Sequence, residues 1–172
     1  MTKILDYALI FLGLAILVIA LSGSVLRLVP LSVLDAQSPM VAPTSPHKLT
    51  IPGLDLELPV LVASISGVTW KTSSRGVSYL DSSALPGEMG NTVIYGHNWP
   101  SILGKLEQIT PGTVISLSMG DLVYNYQTTG SAEVDPSSTY ITSSTVAKTL
   151  TLYTCSGFLD SKRFVVTARL IE

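Results

Sequence analysis

The sequence predicts an all-β domain, closed as a barrel or folded as a sandwich, from about residue 49 to residue 172. Short apolar runs recur there between Gly, Pro and Asp turn signals, which is typical of such domains. Some runs alternate apolar and polar residues with a period of two, as half-buried strands do. Only residues 101–108 and 143–148 fit a helix, so we expect one or two short helices.

Each predicted strand is a run rich in β-branched or aliphatic residues that ends at a turn signal. In residues 113–119, Ile115 and Leu117 alternate with serines, and Gly120-Asp121 then predicts a turn into the returning strand. The strand before Gly96 has the sequence NTVIY. The predicted strands are residues 54–62, 91–95, 113–119, 122–128, 149–154 and 164–171, with Ile51 opening the domain before Pro52-Gly53.

The N-terminal segment predicts a membrane anchor over residues 1–28. Residues 7–26 carry no charge and, at about 1.5 Å per residue, span roughly 30 Å as a helix. Lys3 precedes this run and Arg27 follows it, so the positive-inside rule favours an inside N-terminus only weakly. The alternative is a cleaved signal peptide, although signal peptides have shorter apolar runs. Either a membrane anchor or a signal peptide would place the rest of the chain outside the cytoplasm, unless the topology is reversed.

The composition restricts the remaining possibilities. Residues 29–48 are rich in Pro and Ser, which predicts a linker between anchor and domain. The net charge is -2 and no basic block occurs, so nucleic-acid binding is not expected. The chain has one cysteine, Cys155, which excludes an intramolecular disulfide. That cysteine is therefore either a buried apolar residue or a reactive thiol.

Cys155 lies where the predicted strand TLTLYT runs into a loop. Period-two alternation places Leu150 and Leu152 on one face and Tyr153 and Cys155 on the other. The aliphatic face is the expected core, so Cys155 lies off it. Alternation alone does not decide between burial and exposure of the thiol.

His97 follows the strand NTVIY through Gly96 and is the best candidate base, the alternative being a surface turn histidine. A cysteine nucleophile needs such a partner, since an ordinary thiol is only a few per cent ionised at neutral pH. His47 lies in the linker, where nothing rigid would position it. A hairpin after Cys155 would return Arg163 beside it as an oxyanion stabiliser, unless Arg163 and Lys162 form a solvated cation pair.

These residues resemble a known family. The segment TLYTC, residues 151–155, matches the T-L-x-T-C signature of sortases. The Gly-His of NTVIYGH precedes it, Arg163 follows it, and the order His, Cys, Arg also matches. The resemblance covers residues 49–172 and fits the predicted anchor.

The resemblance implies an eight-stranded β-barrel and a cysteine transpeptidase. Cys155 would attack the Thr carbonyl of a sorting motif near the C-terminus of a surface protein, forming a thioacyl-enzyme. His97 would protonate the departing amine, Arg163 would hold the substrate or oxyanion, and a cell-wall peptide amine or protein lysine would accept the acyl group. Thr154, Asn98 and Trp99 are expected at the substrate site. Asn98 would orient the imidazole by hydrogen bonding or only make the turn, and Trp99 would shield the site or only cap the barrel.

The resemblance also implies a single-pass membrane protein with an extracellular catalytic domain. The chemistry needs no cofactor, and no compact carboxylate cluster predicts a metal site. The segment before the barrel lacks the Asp-Pro-aromatic lid motif of pilin-polymerising sortases, and the chain ends after the last strand, so we expect an anchoring or accessory enzyme. The alternatives are a cysteine peptidase or hydrolase using the same site, and a non-catalytic membrane-tethered β binding module.

Overall fold

The computed structural model of the chain describes Leu12, Leu14, Leu17, residues 45–66 and residues 69–171. Ten strands occur in the described part of the domain. They are β1 Lys48–Ile51, β2 Leu56–Ala63, β3 Ile65–Ser66, β4 Thr69–Trp70, β5 Val77–Leu80, β6 Gly90–Gly96, β7 Val114–Met119, β8 Leu122–Val134, β9 Lys148–Ser156 and β10 Lys162–Leu170. Short 3-10 helices occupy Pro52–Leu54, Leu106–Gln108, Thr139–Thr142 and Phe158–Asp160.

Eight of these strands close into a barrel in the order β1-β2-β5-β6-β9-β10-β8-β7, while β3 and β4 pair only with each other. This confirms the all-β barrel and removes the sandwich alternative. Two of the pairings are parallel, β2 with β5 and β6 with β9. Parallel neighbours end at the same edge of a sheet, which matters for the site described below.

The barrel interior is filled by the aliphatic face of each strand. Leu150 and Leu152 of β9 and Ile115 and Leu117 of β7 are all 0% exposed, as the alternation predicts. Burying each such side chain contributes about 1.5–3 kcal/mol relative to leaving it in water. The rest of this core comes mainly from β1, β2, β5, β10 and the segment 102–109.

The outer face of β6, β9 and β10 is also covered, which alternation does not predict. A second cluster of Leu80, Val93, Tyr95, Tyr153 and Val165 lies there. The partly buried side chains packed against it include Trp70, Val134 and Ile141. Trp70 belongs to the β2–β5 connection and Ile141 to the β8–β9 connection. These two connections therefore flank the outer face and leave a cleft between them.

The two predicted helices are largely wrong. Residues 143–148 form no helix, and the nearby 3-10 turn is Thr139–Thr142. The Asn91 side-chain amide donates hydrogen bonds to the carbonyls of Ile141 and Ser143, which fixes this segment against the barrel. Within residues 101–108, only Leu106–Gln108 is helical. Strand β5 was not predicted from the sequence, and β8 is longer than predicted because it continues along β10 past a bulge.

The predicted membrane anchor falls outside the described residues, apart from three helical leucines. Within the part of the chain that the structure describes, no helix has the length and apolar character needed to cross a membrane. Most of the predicted linker also lies outside the described residues.

Candidate active site

The pairing of β9 with its two neighbours brings the three predicted catalytic residues to one end of the barrel. β6 and β9 run parallel, with Gly96 opposite Thr154. His97, which follows β6, and Cys155 of β9 each come directly after this pair. β10 pairs antiparallel with β9, and Arg163 lies opposite Cys155. The hairpin needed to return Arg163 is therefore present. Cys155 is flanked by His97 on one side and Arg163 on the other.

A cavity of about 500 Å³ opens at this point, and the side chains of His97, Cys155 and Arg163 all line it. Its other walls come from the two connections that flank the outer face. Trp70 and Thr72 lie on one side, and the segment from Pro136 to Thr142 lies on the other.

Cys155 is half-buried, and both of its neighbours in the strand are fully buried. Thr154 and Ser156 are each 1% exposed on the opposite face of β9. The thiol therefore lies on the cavity side of the strand. This placement favours a reactive thiol over a small apolar residue packed in the core.

Arg163 has a different environment from its neighbour Lys162. Its Nη1 donates to the backbone carbonyls of Asp160 at 2.9 Å and Lys162 at 2.8 Å. Lys162 instead pairs with Asp135, at 2.7 Å between Nζ and Oδ1. The two cations are therefore not an equivalent solvated pair. A guanidinium carries five N–H donors. Nε and Nη2 of Arg163 have no hydrogen-bond partner among the described residues, so they remain available to a ligand.

The loop that holds Arg163 adopts an unusual backbone conformation. Leu159 and Asp160 have φ values of 52° and 61°, in the left-handed region that non-glycine residues rarely adopt. Gly157 also has a positive φ of 74°, and a Cβ there would lie 2.9 Å from the Ser161 hydroxyl. The resulting tight turn aims the Asp160 carbonyl at the guanidinium. Such strain persists only where surrounding contacts maintain it.

His97 is half-buried, and an aromatic neighbour limits the rotation of its ring. The imidazole stacks on the Trp99 indole with centroids 4.3 Å apart and an interplanar angle of 7°. The backbone is fixed as well, because the His97 carbonyl accepts a hydrogen bond from the Leu103 amide at 3.1 Å. His47 is exposed on the chain just before β1 and does not line the cavity.

The three predicted substrate-site residues occupy different positions. Trp99 stacks on His97 and is 45% exposed, and Asn98 is exposed beside it. Neither residue lines the cavity, and Asn98 makes no side-chain hydrogen bond to His97 within the described residues. Thr154 lies at the cavity floor, but its Oγ1 donates to the Gly96 carbonyl at 2.9 Å. Thr154 therefore joins β9 to β6 directly beneath Cys155 and His97.

Three aromatic side chains in the cavity were missed by the sequence reasoning. We call Trp70, Tyr95 and Tyr153 the aromatic wall. Tyr95 and Tyr153 stack with centroids 5.5 Å apart, and Trp70 meets both edge-on, at 5.0 and 5.4 Å. Tyr153 was visible as a residue on the same face as Cys155. Trp70 gave no local signal, because only the fold brings it to β6 and β9.

The aromatic wall is apolar enough to keep its phenols neutral. Burial raises the pKa of the Tyr153 hydroxyl far above its usual range, and nearby Tyr95 adds to this while Arg163 opposes it. Burial likewise raises the pKa of Tyr95, whose hydroxyl donates to the Lys71 carbonyl at 2.9 Å. A phenol is already a neutral hydrogen-bond donor at pH 7, and the raised pKa values keep both hydroxyls neutral at higher pH. No group of three His, Cys, Asp or Glu side chains among the described residues could hold a metal ion.

Comparison with known proteins agrees with this fold. The protein-family model described as "Sortase domain" matches residues 49–171. A search of the curated proteins found no significant match.

Solved structures with a similar fold include three bacterial enzymes. The Clostridium perfringens sortase D5 transpeptidase is 22% identical with a TM-score of 0.64, over 74% of this chain and 79% of that one. Listeria monocytogenes sortase A is 24% identical with a TM-score of 0.62, over 73% and 86%. Streptococcus pneumoniae sortase C is 26% identical with a TM-score of 0.64, over 74% and 68%.

Proposed function

Because this chain belongs to the sortase family, whose members are cysteine transpeptidases, we propose that its reaction is carried by Cys155, His97 and Arg163. The observation that carries the proposal is the strand register, with His97 and Arg163 on either side of Cys155 at one cavity. A thiol, an imidazole and a guanidinium are the groups that acyl transfer needs as nucleophile, acid/base and oxyanion stabiliser.

The first half of the reaction forms a thioester. The Cys155 Sγ, as thiolate, bonds to the carbonyl carbon of the Thr in the sorting motif. The oxyanion that develops on that carbonyl accepts hydrogen bonds from the free donors of Arg163. The bond from this carbon to the next residue's nitrogen then breaks, and the departing amine takes a proton from the His97 imidazolium. The C-terminal fragment leaves, and the acyl group remains on Cys155.

The second half reverses these roles. A primary amine enters the cavity, and neutral His97 accepts a proton from it as its nitrogen bonds to the thioester carbon. The carbon–sulfur bond breaks, a new amide forms, and the Cys155 thiolate returns. His97 and Cys155 end in their starting protonation states. Neither half of the cycle requires a metal or an organic cofactor.

The substrates follow from the family. A protein with a C-terminal sorting motif supplies the acyl group, and a cell-wall peptide amine or a protein lysine accepts it. Sortases are generally cell-surface enzymes, which supports residues 1–28 as a single-pass anchor, residues 29–48 as a linker and an extracellular catalytic domain. Residues 29–48 contain no Asp-Pro-aromatic lid motif, which supports an anchoring or accessory enzyme over a pilin polymerase. No feature of the site favours a hydrolase or a non-catalytic binding module.

The test uses the full chain in detergent with fluorogenic peptides that carry different sorting motifs, with and without triglycine. Mass spectrometry should show a thioacyl adduct on Cys155 and a ligated product that requires the amine. Cys155→Ala should give neither, while Ser156→Ala should retain both, since it changes the next residue of β9 and leaves the thiol. Cleavage without ligation would favour a hydrolase, and no adduct with any peptide would count against the proposal.

A further inference from the structure

Tyr153 occupies the one position that the T-L-x-T-C signature leaves free. It precedes Cys155 by two residues on the same face of β9, so their Cα atoms are about 6.5–7 Å apart. Both side chains line the cavity of about 500 Å³. A peptide that lies extended beside β9 with its reacting carbonyl at Cys155 therefore places a residue two positions away against Tyr153.

The ring of Tyr153 is held in place before any substrate binds. It stacks on Tyr95 with an interplanar angle of 15°, and Trp70 packs against it edge-on at 86°. Trp70 is fixed in turn, because the adjacent Lys71 carbonyl accepts hydrogen bonds from the Tyr95 hydroxyl at 2.9 Å and the Ser78 hydroxyl at 3.2 Å. Because these rings are already ordered, a peptide that binds against them loses little side-chain entropy of the protein.

The Tyr153 hydroxyl has no hydrogen-bond partner among the described residues, unlike that of Tyr95. It is not sealed inside the protein either. The one fully enclosed side-chain oxygen without a partner in the described part of the chain belongs to Ser156. The Tyr153 hydroxyl therefore keeps some contact with solvent, and Tyr153 lines the cavity. As a neutral phenol it offers a donor there, beside a ring that is 8% exposed.

We propose that Tyr153 is a specificity-determining residue of the transpeptidase: its hydroxyl hydrogen-bonds the backbone of the sorting motif two positions from the reacting carbonyl, and the aromatic wall limits the size of the side chain accepted there. This inference rests on the proposed function. The signature specifies the thiol and the strand residues around it, but it leaves position 153 free. The contact made by Tyr153 is therefore additional to the signature.

The hydroxyl is tested by Tyr153→Phe in the full chain, which keeps the ring and its stacking. The loss of one neutral hydrogen bond predicts a fall of about two- to tenfold in kcat/KM for the best peptide. The change should appear in KM with kcat nearly constant, since the bond is made equally in the ground and transition states. The matched control is Tyr79→Phe, which removes a buried hydroxyl bonded to the Ser83 carbonyl outside this cavity.

The size limit is tested with a peptide library varied two positions from the scissile bond on either side. The parent chain should prefer small or flat residues at one of the two positions. Trp70→Ala should raise the relative kcat/KM of larger residues there by about tenfold or more, the discrimination that pocket size provides. If Trp70→Ala lowers the melting temperature below the assay range, Trp70→Leu gives the same comparison with a smaller cavity.

The outcomes separate the two claims. If the parent chain transfers none of the peptides, both the proposed function and this inference are overturned. An active parent whose Tyr153→Phe variant keeps the same KM overturns the hydroxyl contact. Identical library profiles for the parent and the Trp70 variants overturn the size limit.

Discussion

Replacing Thr154 by Val tests whether this residue joins two strands or contacts substrate. Thr154 is 1% exposed, and its hydroxyl donates to the Gly96 carbonyl at 2.9 Å. Val has nearly the same shape but cannot donate, so the carbonyl loses this partner in a buried environment. Leaving a buried acceptor without its partner costs about 1–3 kcal/mol of the free energy of unfolding.

We therefore expect Thr154→Val to lower the free energy of unfolding by about 1–3 kcal/mol in urea titrations, with an unchanged m value. Activity should fall as well, because Gly96 and Thr154 directly precede His97 and Cys155. A loss of positioning on the scale of 1 Å can cost about 10²-fold in rate. Thr154→Ser keeps the hydroxyl and should retain most of the activity.

The two interpretations of Thr154 predict different measurements. If the residue contacts substrate, Thr154→Val should raise KM and leave the free energy of unfolding within about 0.5 kcal/mol of the parent, as for a change that breaks no buried contact. Parent-like stability of Thr154→Val would refute the strand-joining role. Parent-like stability together with a raised KM would restore the substrate contact expected from the sequence.

The other predictions concern the remaining site residues. Cys155→Ala and His97→Ala should each abolish ligation of the peptide to triglycine while circular dichroism shows an intact fold; ligation by either variant would contradict its role. Arg163→Ala should lower kcat by about 10²–10³, the cost of losing one oxyanion donor, whereas Lys162→Ala should stay close to the parent. Because burial raises the pKa of Tyr153 in the folded state, the unfolded chain ionises first, and stability should be lost as the pH rises above about 10. Urea titrations from pH 8 to 11 should show a smaller loss for Tyr153→Phe, and equal losses would contradict this linkage.

The parts of the structure that depend on local pattern were predictable from the sequence. The period-two alternation identified Leu150 and Leu152 as core, and the turn residues after Cys155 predicted the hairpin that returns Arg163. The resemblance to the sortase signature, with its order His, Cys, Arg, then predicted the closed eight-stranded barrel. In each case, the information lies in short stretches of consecutive residues and in their order along the chain.

What the sequence did not predict depends on contacts between distant segments. Trp70 meets Tyr95 and Tyr153 only because the β2–β5 connection lies over the outer face of the barrel. The carbonyl of Asp160 holds Arg163 only because Leu159 and Asp160 adopt left-handed backbone conformations. Asp tolerates this conformation better than most residues, but Leu159 gives no signal for it. Residues 143–148 have an acceptable helical pattern, but a hydrogen bond from Asn91 fixes the carbonyl of Ser143, whose backbone is extended.

The parallel pairing of β6 with β9 also determines when the reactive centre can form during folding. Gly96 and Thr154 are 58 positions apart in the chain, so closing this pair costs about 2 kcal/mol more loop entropy than closing the short hairpin between β9 and β10. Such long-range pairings tend to form late. A nascent or partly folded chain therefore carries Cys155 without His97 beside it. During refolding, the ligation activity should therefore return only when β6 pairs with β9 and the barrel closes.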